Sequence, residues 1–358
     1  MAAHLAPRFG RTVQEFSADG FDVEQPLECL LDSDTDLGMA KTIGLGVLGM
    51  AERLAALRPD LLLLIADRYE MLAPASAALA LRIPIAHIEG GEISEGAIDD
   101  AVRNALTKMS HLHFVSTELA RRRVLAMGEE AWRVTRAGAP SLDHFQRSAL
   151  PQGEKLEAAL GRPLPASPWL VSIHPTTLAA DPTADARALF GALDGCNEPI
   201  VISFPNADAG YQEIIELATD FCRHHAQASL HVNLGIFNYL GLLKQAALMV
   251  GNSSSGIMES PSLAMPCVNV GMRQQGRERA PNIIDAPRQV EAIRAAIEQA
   301  KKPAFRDSLA GMTNPYGDGQ AGQRIAKILS DCPLGPDLLI KRALPLNANA
   351  DAFVQQPD

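Results

Sequence analysis

The sequence has no C-x-x-C pair, and its five cysteines (Cys29, Cys196, Cys222, Cys267 and Cys332) are odd in number and far apart. That pattern argues against a disulfide framework or a zinc site and reads as buried thiols in a reducing cytoplasm. No apolar run approaches the ~18 residues of a membrane span. The opening MAAHLAPRFGRT has no apolar stretch of signal-peptide length, so neither export nor a membrane partner is expected. Basic residues are in deficit: 42 acidic against 32 basic side chains leave a net charge of −10, which argues against nucleic acid and anionic lipid as partners. An anionic ligand must then be held by local devices. There is no Walker loop, internal repeat or low-complexity tract.

What is present is a chain of 358 residues, 47% hydrophobic and 21% charged, long enough for two domains of about 150 residues each. Short apolar runs alternate with helical stretches, the pattern of βαβ units and parallel sheets. The runs 61–65, 83–88 and 113–115 predict buried strands; 37–57, 75–81 and 99–110 predict helices between them. Prolines, glycines and charges over 148–167 predict an interdomain crossing. A second series follows, with strands at 169–173, 199–204, 229–233, 248–250 and 267–270, and helices at 211–222 and 238–246. The expected architecture is α/β: two Rossmann-like domains with parallel sheets, at 1–150 and 151–335, with a ligand cleft at the carboxyl ends of their strands and a loosely held tail at 336–358.

Four constellations can carry chemistry. Asp67 follows the first strand, at the sheet edge where open α/β folds bind ligands; a helix cap or a pair with Arg68 would equally account for it. Next, HIEGGEISEGAIDDAVR places Glu89 and Glu92 after a strand, and Asp99, Asp100 and Arg103 at a helix start. Gly90 and Gly91 permit close backbone approach, and His87 reads as a core histidine. In SIHPTT, His174 ends the first strand of the second domain and can serve as acid, base or phosphate partner. GNSSSGIMESPS sets Ser253, Ser254, Ser255 and Gly256 at a strand-to-helix turn suited to a diphosphate, with Glu259 available to ribose. Asn206 in PNADAG, and Arg273, Arg277 and Arg279 in GMRQQGRER, are weaker strand-end candidates. His224 and His225 read as solvent-facing.

In this order, ADRYE, HIEGGEIS with IDDAVRNALTKMSH, AGAPSLD, IHPTT, PNADAG, GNSSSGIMESPS, NVGMRQQGRER and NPYGDG resemble the hydrolysing UDP-N-acetylglucosamine 2-epimerases of sialic and other nonulosonic acid pathways. The resemblance spans nearly the whole chain. It implies a GT-B-like fold, a UDP-sugar substrate held mainly by the second domain, no metal or cofactor, and a homodimer or homotetramer. It also implies loss of UDP with the C2 proton to give a 2-acetamidoglucal, then addition of water to give free N-acetylmannosamine. A 2,4-diacetamido sugar is an open alternative, as are a non-hydrolysing epimerase, a GT-B glycosyltransferase and a catalytically impaired binding protein. On motif match Asp67, Glu89 and Asp99 are the acid and base candidates, oriented by Arg103. His174 would face the departing oxygen, Ser253 and Ser254 the diphosphate, Glu259 the ribose, and Arg273 the nucleotide or the neighbouring loop. Two departures stand out. Ala66 replaces the family's glycine, and the family's first βαβ unit, roughly 30 residues, has no counterpart, from which either a true start upstream or a damaged copy is expected, with exposed strand edges without the unit.

Overall fold

The computed structural model describes residues 2–343 except 24, 66 and 148; the departure at 66 and the end of the tail lie outside them. Two parallel sheets form the frame. The first has the order β1 (Leu62–Ile65), β2 (Ile85–Ile88), β3 (Leu112–Val115), β4 (Val134–Arg136). The second runs β10 (Ile283–Ala286), β9 (Cys267–Val270), β8 (Leu248–Gly251), β5 (Trp169–Ser172), β6 (Ile200–Ser203), β7 (Ala228–His231). β2, β3, β5, β8 and β9 are buried along their whole length, as interior strands of sheets covered on both faces must be.

Helices Asp36–Leu57, Leu72–Leu81 and Asp99–Met109 pack on one face of the first sheet through Leu54, Ala78, Val102 and Leu106. Thr35 caps the first of them, its side chain accepting from Gly38 N. The second sheet is covered on both faces, on one by helices Ala184–Leu193, Tyr211–His224 and Val290–Lys301.

Several expectations are corrected. β1 is an edge strand rather than a buried one, with Leu63 46% and Ile65 51% exposed. Among the described residues no strand precedes it; 2–9 form 3₁₀ turns, and Phe9 lies 5.4 Å from Tyr211 of the second domain. The crossing at 148–167 contains the helix Glu154–Leu160, which buries Leu156 and Leu160.

The largest correction concerns the C-terminal segment, which returns to the first domain. Helix Ala321–Asp331 is capped by Asp143, which accepts from Ala321 N at 2.8 Å and Gly322 N at 2.7 Å. Ala321, Ile325 and Leu338 cover Ala86, Ile88, Leu112 and Phe114 on the sheet's other face. Arg133 donates to the carbonyls of Leu338 and Ile340 at 2.9 and 2.8 Å, and Lys341 Nζ lies 2.7 Å from the buried Glu129. Residues 336–343 are thus a docked strap, not a loose tail. No helix among the described residues is long and apolar enough to cross a membrane.

Candidate functional site

The carboxyl ends of both sheets face a cleft enclosing a cavity of about 490 Å³. Asp67, Arg68, Ser94 and Asp99 line it from the first domain; Ser172, His174, Asn206, Ser253, Ser254, Ser255, Arg273, Gln274 and Arg277 line it from the second. One end is more apolar, walled by Phe204, Val232, Leu234, Ile236 and Tyr239.

Asp67 leaves β1 and pairs with Arg103, not with Arg68. Arg103 is 1% exposed; it also donates to the Glu92 carbonyl at 2.8 Å and to Ser94 Oγ at 2.9 Å. Burial would raise the Asp67 pKa, but the charges of Arg103, Arg277 and Arg273 outweigh it and hold this carboxyl below its usual range. Asp99, one turn before Arg103 on the same helix, faces Arg273 of the second domain at 3.4 Å. Burial, then the negative charge of Asp67, pushes it up to about 6. Glu89 follows β2 with φ +69°, a left-handed conformation that costs a non-glycine residue energy. Burial, with Asp67 and Glu259 adding to it against Arg277, pushes its carboxyl up to about 7. The three carboxylates therefore differ in protonation near neutrality, as a site that both takes and gives protons requires.

These shifts carry a stability consequence. A folded-state carboxyl pKa above its unfolded value means that the native protein binds the extra proton, so stability falls as pH rises through the folded pKa. For Asp99 the window runs from its ordinary value near 3.8 to about 6. Asp99→Asn should therefore leave Tm nearly unchanged at pH 4 and raise it relative to wild type at pH 7.5. Thermal melts of ligand-free protein across that range check it; an equal offset at all pH values would refute the assignment.

His174 is fixed by two partners. Its backbone N–H donates to Asn252 Oδ1 at 2.8 Å, and its Nδ1 accepts from the Asn206 backbone N–H at 3.0 Å. Burial, with Arg273 and Arg68 nearby, keeps the ring well below its usual pKa and hence neutral. Because an amide can only donate, the proton must sit on Nε2. His174 is therefore an N–H donor whose partner at Nε2, among the described residues, is Ser172 Oγ at 3.4 Å.

β8 ends at Gly251, opposite Ser172 of β5. Its φ is +142°, and a Cβ there would come within 1.9 Å of the Ser172 carbonyl oxygen. Gly251→Ala should thus cost about 3 kcal/mol through strain and overpacking and lower Tm by several degrees; an unchanged melt would show that the β5–β8 spacing is not tight. Ser253 then caps a short helix, Ser254–Met258, accepting from Ser255 N at 3.3 Å; residues 253–255 line the cavity, with Ser255 Oγ itself buried.

Not every expected site residue reaches the cavity. Glu92 is 2% exposed, is not part of the cavity lining, and its carboxylate oxygens have no hydrogen-bond partner among the described residues. Gly256 packs against β9, where a Cβ would lie 2.6 Å from Cys267 Sγ; its smallness serves packing, not a ligand. Glu259 is buried and its carboxyl is raised by burial; neither it nor Glu89 lines the cavity directly. His87 is fully buried and 3.4 Å from Thr107 Oγ1. His224 is exposed, but His225 stacks on Phe221 at 4.0 Å. Sequence reasoning missed Gln274, which donates to the Asn252 carbonyl at 2.9 Å, and the whole wall 231–239. The signal for the wall was its place after a strand of the second domain. Among the described residues, no group of three His, Cys, Asp or Glu side chains is arranged to hold a metal.

Two facing Rossmann-like sheets, with carboxylates on one wall and hydroxyls, arginines and a neutral imidazole donor on the other, define a GT-B-like enzyme. The family model described as UDP-N-acetylglucosamine 2-epimerase matches residues 1–330, and the chain belongs to that family. It is 37% identical over 309 residues to a GDP/UDP-N,N'-diacetylbacillosamine 2-epimerase (hydrolyzing) of Campylobacter jejuni, covering 86% of this chain and 80% of that one. It is 34% identical over 340 residues to a UDP-N,N'-diacetylbacillosamine 2-epimerase (hydrolyzing) of Legionella pneumophila, covering 94% and 88%. Its fold is that of the UDP-GlcNAc 2-epimerase from Neisseria meningitidis bound to UDP-GlcNAc, with a TM-score of 0.73 at 18% identity, covering 90% of this chain and 89% of that one.

Proposed function

We propose that this protein is a hydrolysing 2-epimerase that converts a UDP-linked 2,4-diacetamido sugar of the diacetylbacillosamine type into the free 2-epimer and UDP. The hydrolysing relatives at 37% and 34% identity support that substrate over UDP-N-acetylglucosamine. The observation that carries the reading is the cavity itself, with the carboxyls of Asp67 and Asp99 on one side and the imidazole of His174 beside Ser253 and Ser254 on the other.

In the first step a carboxylate takes the C2 proton, the C1–O bond to UDP breaks with its electron pair leaving on the phosphate oxygen, and a C1=C2 double bond forms. In the second, a carboxyl protonates C2 from the other face and water adds its hydroxyl to C1, releasing its proton to a carboxylate. Glu89 and Asp99, poised at about 7 and about 6, are the proton carriers. Asp67 stays ionised and stabilises positive charge developing at C1. The Nε2–H of His174 donates to the departing phosphate oxygen, with Ser253, Ser254 and Arg273 on the diphosphate and the apolar end of the cavity on the base. Domain 1–150 supplies the carboxylates, and 151–335 holds the nucleotide. The protein acts in the cytoplasm, in nonulosonic acid synthesis. It works as a dimer or a dimer of dimers, an assembly supported by the exposed Leu37, Leu45 and Leu48 along one helix.

Incubation with UDP-N,N'-diacetylbacillosamine or UDP-N-acetylglucosamine in D₂O, followed by NMR, tests this. The expected outcome is UDP plus a free 2-epimer carrying deuterium at C2, formed faster from the diacetamido substrate. A 2-epimer still attached to UDP, turnover only with an acceptor, or binding without turnover would each replace the reading.

A further inference from the structure

The loop 205–210 leaves β6 in the second domain, yet its polar groups are gripped by the first. Asp208 is 2% exposed, and its Oδ1 accepts from Arg68 Nη1 at 2.7 Å. Arg68, next to Asp67, is further held by Glu70 at 3.5 Å. At the loop's far end Asp34, also of the first domain, accepts from the backbone N–H groups of Gly210 and Tyr211 at 2.6 and 3.1 Å, and of Gln212 at 3.3 Å. It thereby caps helix Tyr211–His224 across the domain boundary. Two residues before the first of these anchored positions lies Asn206, whose backbone N–H is the donor to His174 Nδ1.

We propose that Asp208 and Asp34 are positioning residues that hold loop 205–210 so that Asn206 fixes His174 as an Nε2–H donor only while the two domains are closed on each other. The inference rests on the reading of His174 as the donor to the leaving phosphate. A neutral imidazole with no partner on Nδ1 exchanges between two tautomers, one of which presents a lone pair, not a proton, to an anion. The loop belongs to the domain that carries His174, but both anchors belong to the other domain. Opening the cleft therefore releases the loop and unsets the tautomer; closing it sets the donor at the moment the carboxylates arrive. Closure thus completes the site instead of merely covering it.

The test uses full-length protein labelled with ¹⁵N-histidine, saturated with UDP, with the His174 signals identified by their loss in His174→Gln. Wild type should show a single tautomer, with the proton on Nε2. In Asp208→Asn, and separately in Asp34→Asn, both ring nitrogens should shift towards averaged values. kcat should fall by about 10- to 100-fold, the scale for groups that orient a functional imidazole, with KM changed only a few-fold; Asp208→Glu should restore part of the loss. A His174 tautomer that stays fixed in both variants overturns the proposal, whatever kcat does. An averaged tautomer with full turnover upholds the clasp but removes His174 from the leaving-group role, so the two readings fail separately.

Discussion

Glu89→Gln should lower kcat by about 10²- to 10⁴-fold, the range for loss of a positioned proton-transfer group, with little change in KM. Glu89 is held in a left-handed backbone conformation while its N–H still donates to the Phe114 carbonyl at 2.8 Å, continuing the β2–β3 ladder. Strain of this kind persists only where the surroundings over-determine it, and here it aims a carboxyl that burial has pushed up to about 7. A group so poised is split between its two forms at neutral pH and can both take and return a proton. The amide keeps the shape and removes that capacity. Steady-state kinetics with the NMR product assay check it, and the wild-type pH–rate profile should show an inflection near 7 that the variant lacks. A loss under tenfold would move the proton transfer to Asp99.

The largest expected effect on stability is at Arg103. Arg103→Met should cost about 3–5 kcal/mol, the scale for breaking a buried ion pair from one side. This guanidinium ties together the end of β1, the turn after β2 and its own helix, through Asp67, Ser94 and the Glu92 carbonyl. Without it Asp67 is left as a poorly compensated charge, with Arg277 3.8 Å away as the nearest replacement. Urea unfolding measures the loss. Adding Asp67→Asn to the same chain should recover part of it, because the orphaned charge disappears. A double variant no more stable than Arg103→Met would mean that the cost is lost packing and not the charge.

The frame was largely legible in the sequence, because interior strands such as β5 and β9 are unbroken apolar runs. β4 and β10 were not: Val134–Arg136 and Ile283–Ala286 are short edge strands in which Arg136 or Asp285 cuts the apolar run to one or two residues. The site was legible as a set of positions but not as a set of pairs. Helical spacing put Asp99 and Arg103 on one face; in three dimensions Arg103 turns to Asp67 and Asp100, while Asp99 faces Arg273 of the other domain. Asp34 and Asp208 drew no attention in the sequence because their partners lie across the cleft. Local periodicity reports which face a residue is on; it carries no information about which charge meets it there.

The C-terminal helix Ala321–Asp331 and the strap after it bear on how the protein is made. One face of the first sheet is finished by Ala321, Ile325 and Leu338, about two hundred positions after Phe114, the strand residue they cover. During synthesis the first domain therefore leaves the ribosome with that face uncovered and remains so while the second domain emerges and folds. At about 5–20 residues per second, that interval is tens of seconds with an apolar sheet open to water. The domain translated first is the last to be completed, so chaperone demand on the nascent chain should peak before its final helix emerges.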